Sequence, residues 1–402
     1  MNGSNRLRDL WLLLPMFLLG CDDRAGPAPF ISSDSLGVHL VEFHWDGVPT
    51  SWQVEERAEW VIGDGAPESG GVVLHGVVGA RMLSEEVVVI AEASSQQVIR
   101  VDLGTGGVAR WGGAGDGPEE FRGLSGVFDL GDGGIGVHDG SRGRYVELDG
   151  EGRLIRDTGL PALGPDRPTV ILVGEGTAAP TPYVALVTGF PRAPVTGPYR
   201  GTGPVVPLAA QEDTIALIRG AETFAGDGGA GFVAFGRTTL LAGGSDGLWI
   251  GDTEDPAVEF ISGTGQASRI VRWTSERSLA LTEERRDRLW AELEERAREP
   301  ERSMIGRFRS ILPFAERKPA FGALVAGPED RIWVGEPIPP EILMLEEPWP
   351  AQEWVVVDFS EESAVRLITP PGFQLLQAGE DFVLGLHRNE VGIETVRLHR
   401  IH

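Results

Sequence analysis

The chain has 402 residues, 60 acidic against 35 basic, for a formal charge of −25 at pH 7 and a pI near 4.7. That balance argues against nucleic acid as a partner, since phosphate binding needs a basic footprint, and 41% apolar with 24% charged residues is a globular mix, not a disordered or membrane-embedded one. Gly 56 and Pro 28 make about a fifth of the sequence, so many short elements joined by tight turns are expected.

Residues 1–20 read as a secretory signal. Arg6 and Arg8 precede the apolar run Leu10–Leu19, which is too short to cross a bilayer that takes about 20 helical residues. The run ends in Leu18-Leu19-Gly20-Cys21, which resembles the lipobox of bacterial lipoproteins. The resemblance implies acylation of Cys21 as the new amino terminus. The protein is then held to a membrane of the cell envelope, facing periplasm or exterior. Cys21 is the only cysteine, which removes disulfides, zinc–thiolate sites and a cysteine nucleophile. Residues 21–35, with Asp23, Gly26, Pro27 and Pro29, are expected to be a tether, and residues 36–402 the folded domain.

Internal repeats organise that domain. Val38–Phe43 reads as an extra edge strand. Gly79–Trp111 and Gly126–Asp157 then share one plan: a strand, a tight turn, an apolar strand ending in an acid, a polar loop, an alternating strand, a glycine turn and a short strand. The alternation in Val98–Asp102 and Tyr145–Asp149 is that of a half-buried strand. The unit recurs at Leu240–Trp273, Ala323–Leu367 and Phe373–Ile401, with a degenerate copy at Val170–Ile218. Second strands are expected near Val87, Gly134, Pro182, Leu248, Ile332 and Phe382, a period just under fifty with two interruptions. Four strands in about 40–50 residues is a propeller blade. Six units can be counted, and the last lacks its fourth strand. Residues 58–63, where Glu59–Gly65 echoes Arg110–Gly117, are expected to supply it and close the ring, removing exposed sheet edges.

With the link Gly115-Asp116-Gly117-Pro118-Glu119-Glu120-Phe121 and the ending Phe373–Leu376 and Phe382–Leu386, the chain resembles the six-bladed β-propellers related to NHL repeats. Within them it is similar to a group of bacterial propeller lipoproteins of unassigned role. The resemblance implies an all-β, six-bladed β-propeller. Related propellers that hydrolyse lactones hold calcium through asparagines, and this chain keeps only Asn2, Asn5 and Asn389.

In such a ring, connections from second to third strand and from fourth strand to the next blade share one end. The long insertions are expected there: Thr188–Gly203, Glu336–Gln352, and a small helical insertion at 278–314 between blades four and five. In the last, Thr282 can cap a helix, with Leu289, Leu293 and Ala297 on one face and Pro300 as its stop; a second short helix is expected around Met304, Ile305, Phe308 and Ile311. The insertion reads either as a lid packed on the rim or as a cap over a pocket. Turns at the opposite end are expected to be short.

Glu92, Asp139, Asp252 and Glu336 fall at matching places after second strands. They are expected to brace the loops that follow, Asp139 with Arg142 or Arg144, with a cation site as the alternative. His138 and His387 end equivalent strands and, with Asp139 and Glu92, are the candidates for a metal in the central channel. The ligand-face candidates are Asp116, Glu119, Glu120, His138, Asp139, Arg142, Tyr199 and His387. No G-x-S-x-G elbow, H-E-x-x-H or phosphate loop is present. The reading is therefore a monomeric, non-catalytic binding or scaffold propeller without cofactor, anchored through Cys21, that takes a protein, peptide or glycan. The alternative is a metal-dependent hydrolase or lyase.

Overall fold

The computed structural model describes residues 30–402 apart from 67–69, 162–168, 174–181, 188–196, 227–228, 245, 298–304, 307–308, 310–311, 340–341 and 343–346. The signal segment and Cys21 lie outside the described residues, as do most of the Thr188–Gly203 insertion and of the second short helix.

The described chain is mostly strand. A hairpin comes first, β1 (Phe30–Ser35) and β2 (Val38–His44), then the short β3 (Trp60–Ile62). Sheet one is β4 (Val77–Ser84), β5 (Val87–Glu92), β6 (Gln97–Asp102) and β7 (Val108–Gly112). Sheet two is β8 (Leu124–Asp129), β9 (Ile135–Asp139), β10 (Arg144–Leu148) and β11 (Leu154–Gly159). Sheet three is β12 (Thr169–Val173), β13 (Tyr183–Val187), β14 (Tyr199–Pro207), β15 (Ala216–Gly226) and β16 (Gly229–Phe232). Sheet four contains β17 (Thr239–Gly243), β18 (Gly247–Asp252), β19 (Ala257–Ser262) and β20 (Ala267–Thr274). Sheet five is β21 (Ala323–Ala326), β22 (Arg331–Gly335), β23 (Gln352–Asp358) and β24 (Ser363–Thr369). Sheet six is β25 (Phe373–Ala378), β26 (Phe382–Arg388) and β27 (Glu394–Arg400), with β3 beside β27. Consecutive strands within each sheet are antiparallel.

The second strands are apolar runs because both their faces are covered. In β5, five consecutive residues from Val88 to Glu92 are buried, and all of β9 and β13 is. Six separate cores explain this. Val89 and Val98 pack with Val127 and Val137 between sheets one and two, and Phe128 and Tyr145 with Val184 and Leu208 between two and three. Val187 and Ile218 meet Leu248 and Ile250 between three and four. Trp249 and Trp273 meet Ile332 and Val355 between four and five, and Trp333 and Trp354 meet Phe373 and Val383 between five and six. The sixth core packs Leu384 and Val396 of sheet six on Met82 and Ile90 of sheet one. The sheets therefore follow one another in chain order and return to the first.

β3 adds the fourth strand of sheet six through Trp60↔Leu398, Val61↔Arg397 and Ile62↔Val396. Gly63 ends it at φ +114°, where a Cβ would lie 2.7 Å from the Leu74 side chain, so only glycine turns the chain there without displacing Leu74.

Three features differ from the sequence expectation. Residues 30–35, expected in the tether, form β1, which pairs along its length with β2. Their hairpin turn uses Leu36 and Gly37, both at positive φ, as a two-residue primed turn requires. The hairpin joins sheet four, β2 lying parallel to β20. In sheet three the degenerate copy, expected to end at Ile218, ends instead in β15, which runs on to Gly226 and folds back as β16. Turns at the end opposite the insertions are not uniformly short either: residues 174–182 join β12 to β13 and 208–215 join β14 to β15.

The helix α1 (Glu283–Arg296) lies between β20 and β21, and Ile305, Gly306 and Arg309, the described residues of the second expected helix, are helical as well. Thr282 caps it through Oγ1, accepting from the Arg285 N–H at 3.3 Å, with Glu283 and Glu284 in the first turn. Leu289, Trp290 and Leu293 pack with Ala297, Ile305 and Phe314 in a cluster of their own.

Candidate functional site

Most ligand-face candidates are engaged in local hydrogen bonds and ion pairs. Asp139 is fully buried at the end of β9. Its carboxylate accepts from the N–H groups of Gly123 at 3.0 Å, Arg122 at 3.2 Å and Arg142 at 3.2 Å, and the Arg144 guanidinium lies 3.5 Å away. Arg144 donates to the Pro118 carbonyl at 3.1 Å and to Asp157 at 2.6 Å, and Arg142 donates to the Gly117 carbonyl at 3.0 Å. Glu120 accepts from the Gly117 N–H at 2.8 Å, Asp116 pairs with Arg122, and Glu119 takes the Leu154 N–H at 3.4 Å. Asp116, Glu119, Glu120, Asp139 and Arg142 thus pin the 115–121 link between sheets one and two.

Glu92 braces its own loop in the same way, accepting from the Ser94 and Ser95 N–H groups at 3.0 and 2.8 Å. Asp252 is held by Arg200 and Arg219 at 3.0 and 2.9 Å, and Glu336 pairs with Arg277. Tyr199 opens β14, and its carbonyl accepts from the Thr223 hydroxyl at 3.3 Å.

His138 and His387 do not converge. His138 Nδ1 lies 2.9 Å from the Ser125 hydroxyl, and its Nε2 is buried without a partner. Burial lowers its pKa to about 4 against the opposing charge of Asp139. In sheet six, burial and then the charges of Arg397 and His399 lower His387. Among the described residues no three of His, Cys, Asp and Glu come together as metal ligands. Glu92, His138, Asp139 and His387 stand in three sheets. Both carboxylates turn back into their own connections, and His138 bonds within sheet two, so nothing brings the four to one point.

A cleft that several segments build together lies elsewhere at the insertion-bearing end. It has a volume of about 450 Å³ and is lined by Pro198, Glu222, Arg237, Glu254 and the segment Phe314–Lys318. The walls gather at that end: the approach to β14, the upper part of β15, the link from β16 to β17, the loop after β18, and the segment returning from α1. Arg237 sits between Glu222 and Glu254, 2.6 Å from each, and Arg219 joins Glu254 at 3.3 Å. The Arg237 hydrogen bond to Glu222 holds the guanidinium protonated well beyond its usual range. Burial pulls Glu222 upward, but the bonds and charge of Arg237 outweigh it and hold the carboxylate below its ordinary range. The floor is therefore ionised and charge-balanced. On the rim, Lys318 stands 5.3 Å from the Phe235 ring, a cation–π distance, beside exposed Glu316 and Arg317.

Sequence reasoning missed Glu222, Arg237 and Glu254, because an Arg–Glu pairing across segments leaves no local pattern. Lys318 did carry a signal: it is the only lysine in the chain, a bias that codon usage explains equally well.

No protein family matches the chain, and no curated protein does. Among solved structures, an exported protein of Bacteroides fragilis is similar over 90% of this chain and 99% of its own, at 10% identity and TM-score 0.48. The virginiamycin B lyase of Staphylococcus aureus is similar over 87% and 99%, at 11% identity and TM-score 0.37. The Cps50 (Swd1) β-propeller domain of Myceliophteria thermophila is similar over 81% and 98%, at 10% identity and TM-score 0.36. At this level of likeness neither an activity nor a ligand is taken from them. No helix among the described residues is long and apolar enough to cross a membrane.

Proposed function

We propose that the chain is a six-bladed β-propeller of the cell envelope, lipid-anchored through Cys21, that binds a peptide, protein segment or glycan non-catalytically at its insertion-bearing end. The six inter-sheet cores that return to the first sheet support the blade count. The lipobox-like Leu18–Cys21 supports the anchor. The observation that carries the binding reading is the cleft at Glu222, Arg237, Glu254 and Lys318, built from the upper part of β15 and four connecting segments at one end. Its volume is that of a small-ligand site. Its ionised, balanced floor offers donors and acceptors side by side, which suits an uncharged polar chain such as a peptide backbone or a sugar.

The test is photo-crosslinking in the native envelope. A photoreactive amino acid replaces Arg317 at the cleft rim or, as control, Glu151 at the opposite end. The expected result is an adduct of discrete mass from position 317 and none from 151. No adduct at 317, or the same adducts from both positions, overturns the reading.

A further inference from the structure

The direction of the amino-terminal hairpin fixes where the anchor leaves the domain. β20 is a fourth strand and runs toward the insertion-bearing end. β2 is parallel to it and β1 antiparallel to β2, so Phe30, the first residue of β1, lies at the insertion-bearing end on the rim of sheet four. Eight residues, 22–29, separate Cys21 from Phe30, so nine Cα–Cα steps join them. Those steps reach at most about 30 Å, and a six-residue strand such as β1 covers roughly 20 Å along the wall of the domain. An anchor at the opposite end would therefore spend most of that reach on the wall of the domain, whereas an anchor at the insertion-bearing end spends none of it.

A second observation points the same way. Ten large apolar side chains are exposed among the described residues. Seven of them lie at the insertion-bearing end, including Ile31, Val73, Ile368, Val391 and Ile393, the last two in the loop from β26 to β27. Only Leu36, Ile155 and Leu217 lie at the other. We infer that the insertion-bearing end is turned onto the bilayer, with these apolar side chains touching its surface. This inference rests on acylation of Cys21. With a charge of −25 the domain has no electrostatic pull toward anionic headgroups, so the acyl anchor supplies the binding and the apolar contacts supply the orientation. The cleft then opens toward the lipid, and its ligand is one presented at the membrane surface.

The experiment uses the acylated chain on phosphatidylethanolamine–phosphatidylglycerol vesicles that contain nitroxide-labelled lipid. Thioether acylation of Cys21 leaves no free thiol, so V391C or V73C at the insertion-bearing end and E151C or L36C at the other can each carry a single fluorophore. The expected result is loss of most fluorescence from the first pair and retention by the second. Equal quenching of both pairs, or stronger quenching of the second, overturns the orientation alone. A chain that does not float with the vesicles, behaving like its Cys21→Ser variant, overturns the anchor and the orientation with it.

Discussion

His138 is a buried imidazole with one ring nitrogen bonded to Ser125 and the other without a partner. Its folded pKa of about 4 lies below the unfolded value near 6.5. As pH falls through that window the unfolded chain takes up the proton first, so the stability from a neutral His138 is complete above about pH 6.5 and lost progressively toward pH 4. The loss is about 3 kcal/mol at most. A His138→Gln variant is expected to show a flatter decline in denaturation midpoint between pH 6.5 and 4 than the parent chain. Parallel declines would mean that protonation of His138 is not opposed by the fold. Glu222 acts in a lower window. Its carboxylate is held down by Arg237, so its contribution is present above the ordinary carboxylate range and lost only as pH falls below it.

At the scale of elements, α1 and the sheets are separately packed. Trp290 is 5% exposed, and its ring meets Phe314 edge-on at 5.4 Å, within a cluster that includes no residue of a sheet strand. Trp290→Ala is expected to cost about 3–5 kcal/mol, confined to the roof of the cleft. Hydrogen exchange of α1 and residues 312–318 should accelerate while β17–β24 keep their protection. Faster exchange through the sheets would show that the helix supports the ring. The helix was legible in the sequence because its cap and its apolar face are local signals. So were the second strands, because burial on both faces writes an apolar run closed by an acid. The place of β1 was not: Phe-Ile-Ser-Ser-Asp-Ser has no apolar face, and it becomes a strand only because β2 finds β20 some two hundred residues later. The cleft was hidden for the same reason, since Glu222, Arg237, Glu254 and Lys318 meet only once two sheets and the returning segment have packed.

For the whole molecule, the seam between β3 and β27 is where the ring is held shut. Ile62 is 1% exposed and packs with Leu384 and Val396. Ile62→Ala is expected to cost about 2–5 kcal/mol and, by loosening β3, to uncover the edge of β27 to other chains. Denaturation midpoints and light scattering check this against Ile135→Ala, which removes the same buried side chain inside sheet two. Association should appear in the first variant only. Equal association in both would mean that lost stability, not the open edge, is responsible.

The same seam bears on how the protein is made. Ile62 pairs with Val396, so a strand made early must wait for one that lies more than three hundred residues further along the chain. Five sheets can form as the chain appears, but the sixth cannot until β27 is free of whatever channel delivers it. Until that moment the molecule is an open arc with an apolar flank at each end, and its most vulnerable period is the interval between the emergence of β3 and the arrival of its partner.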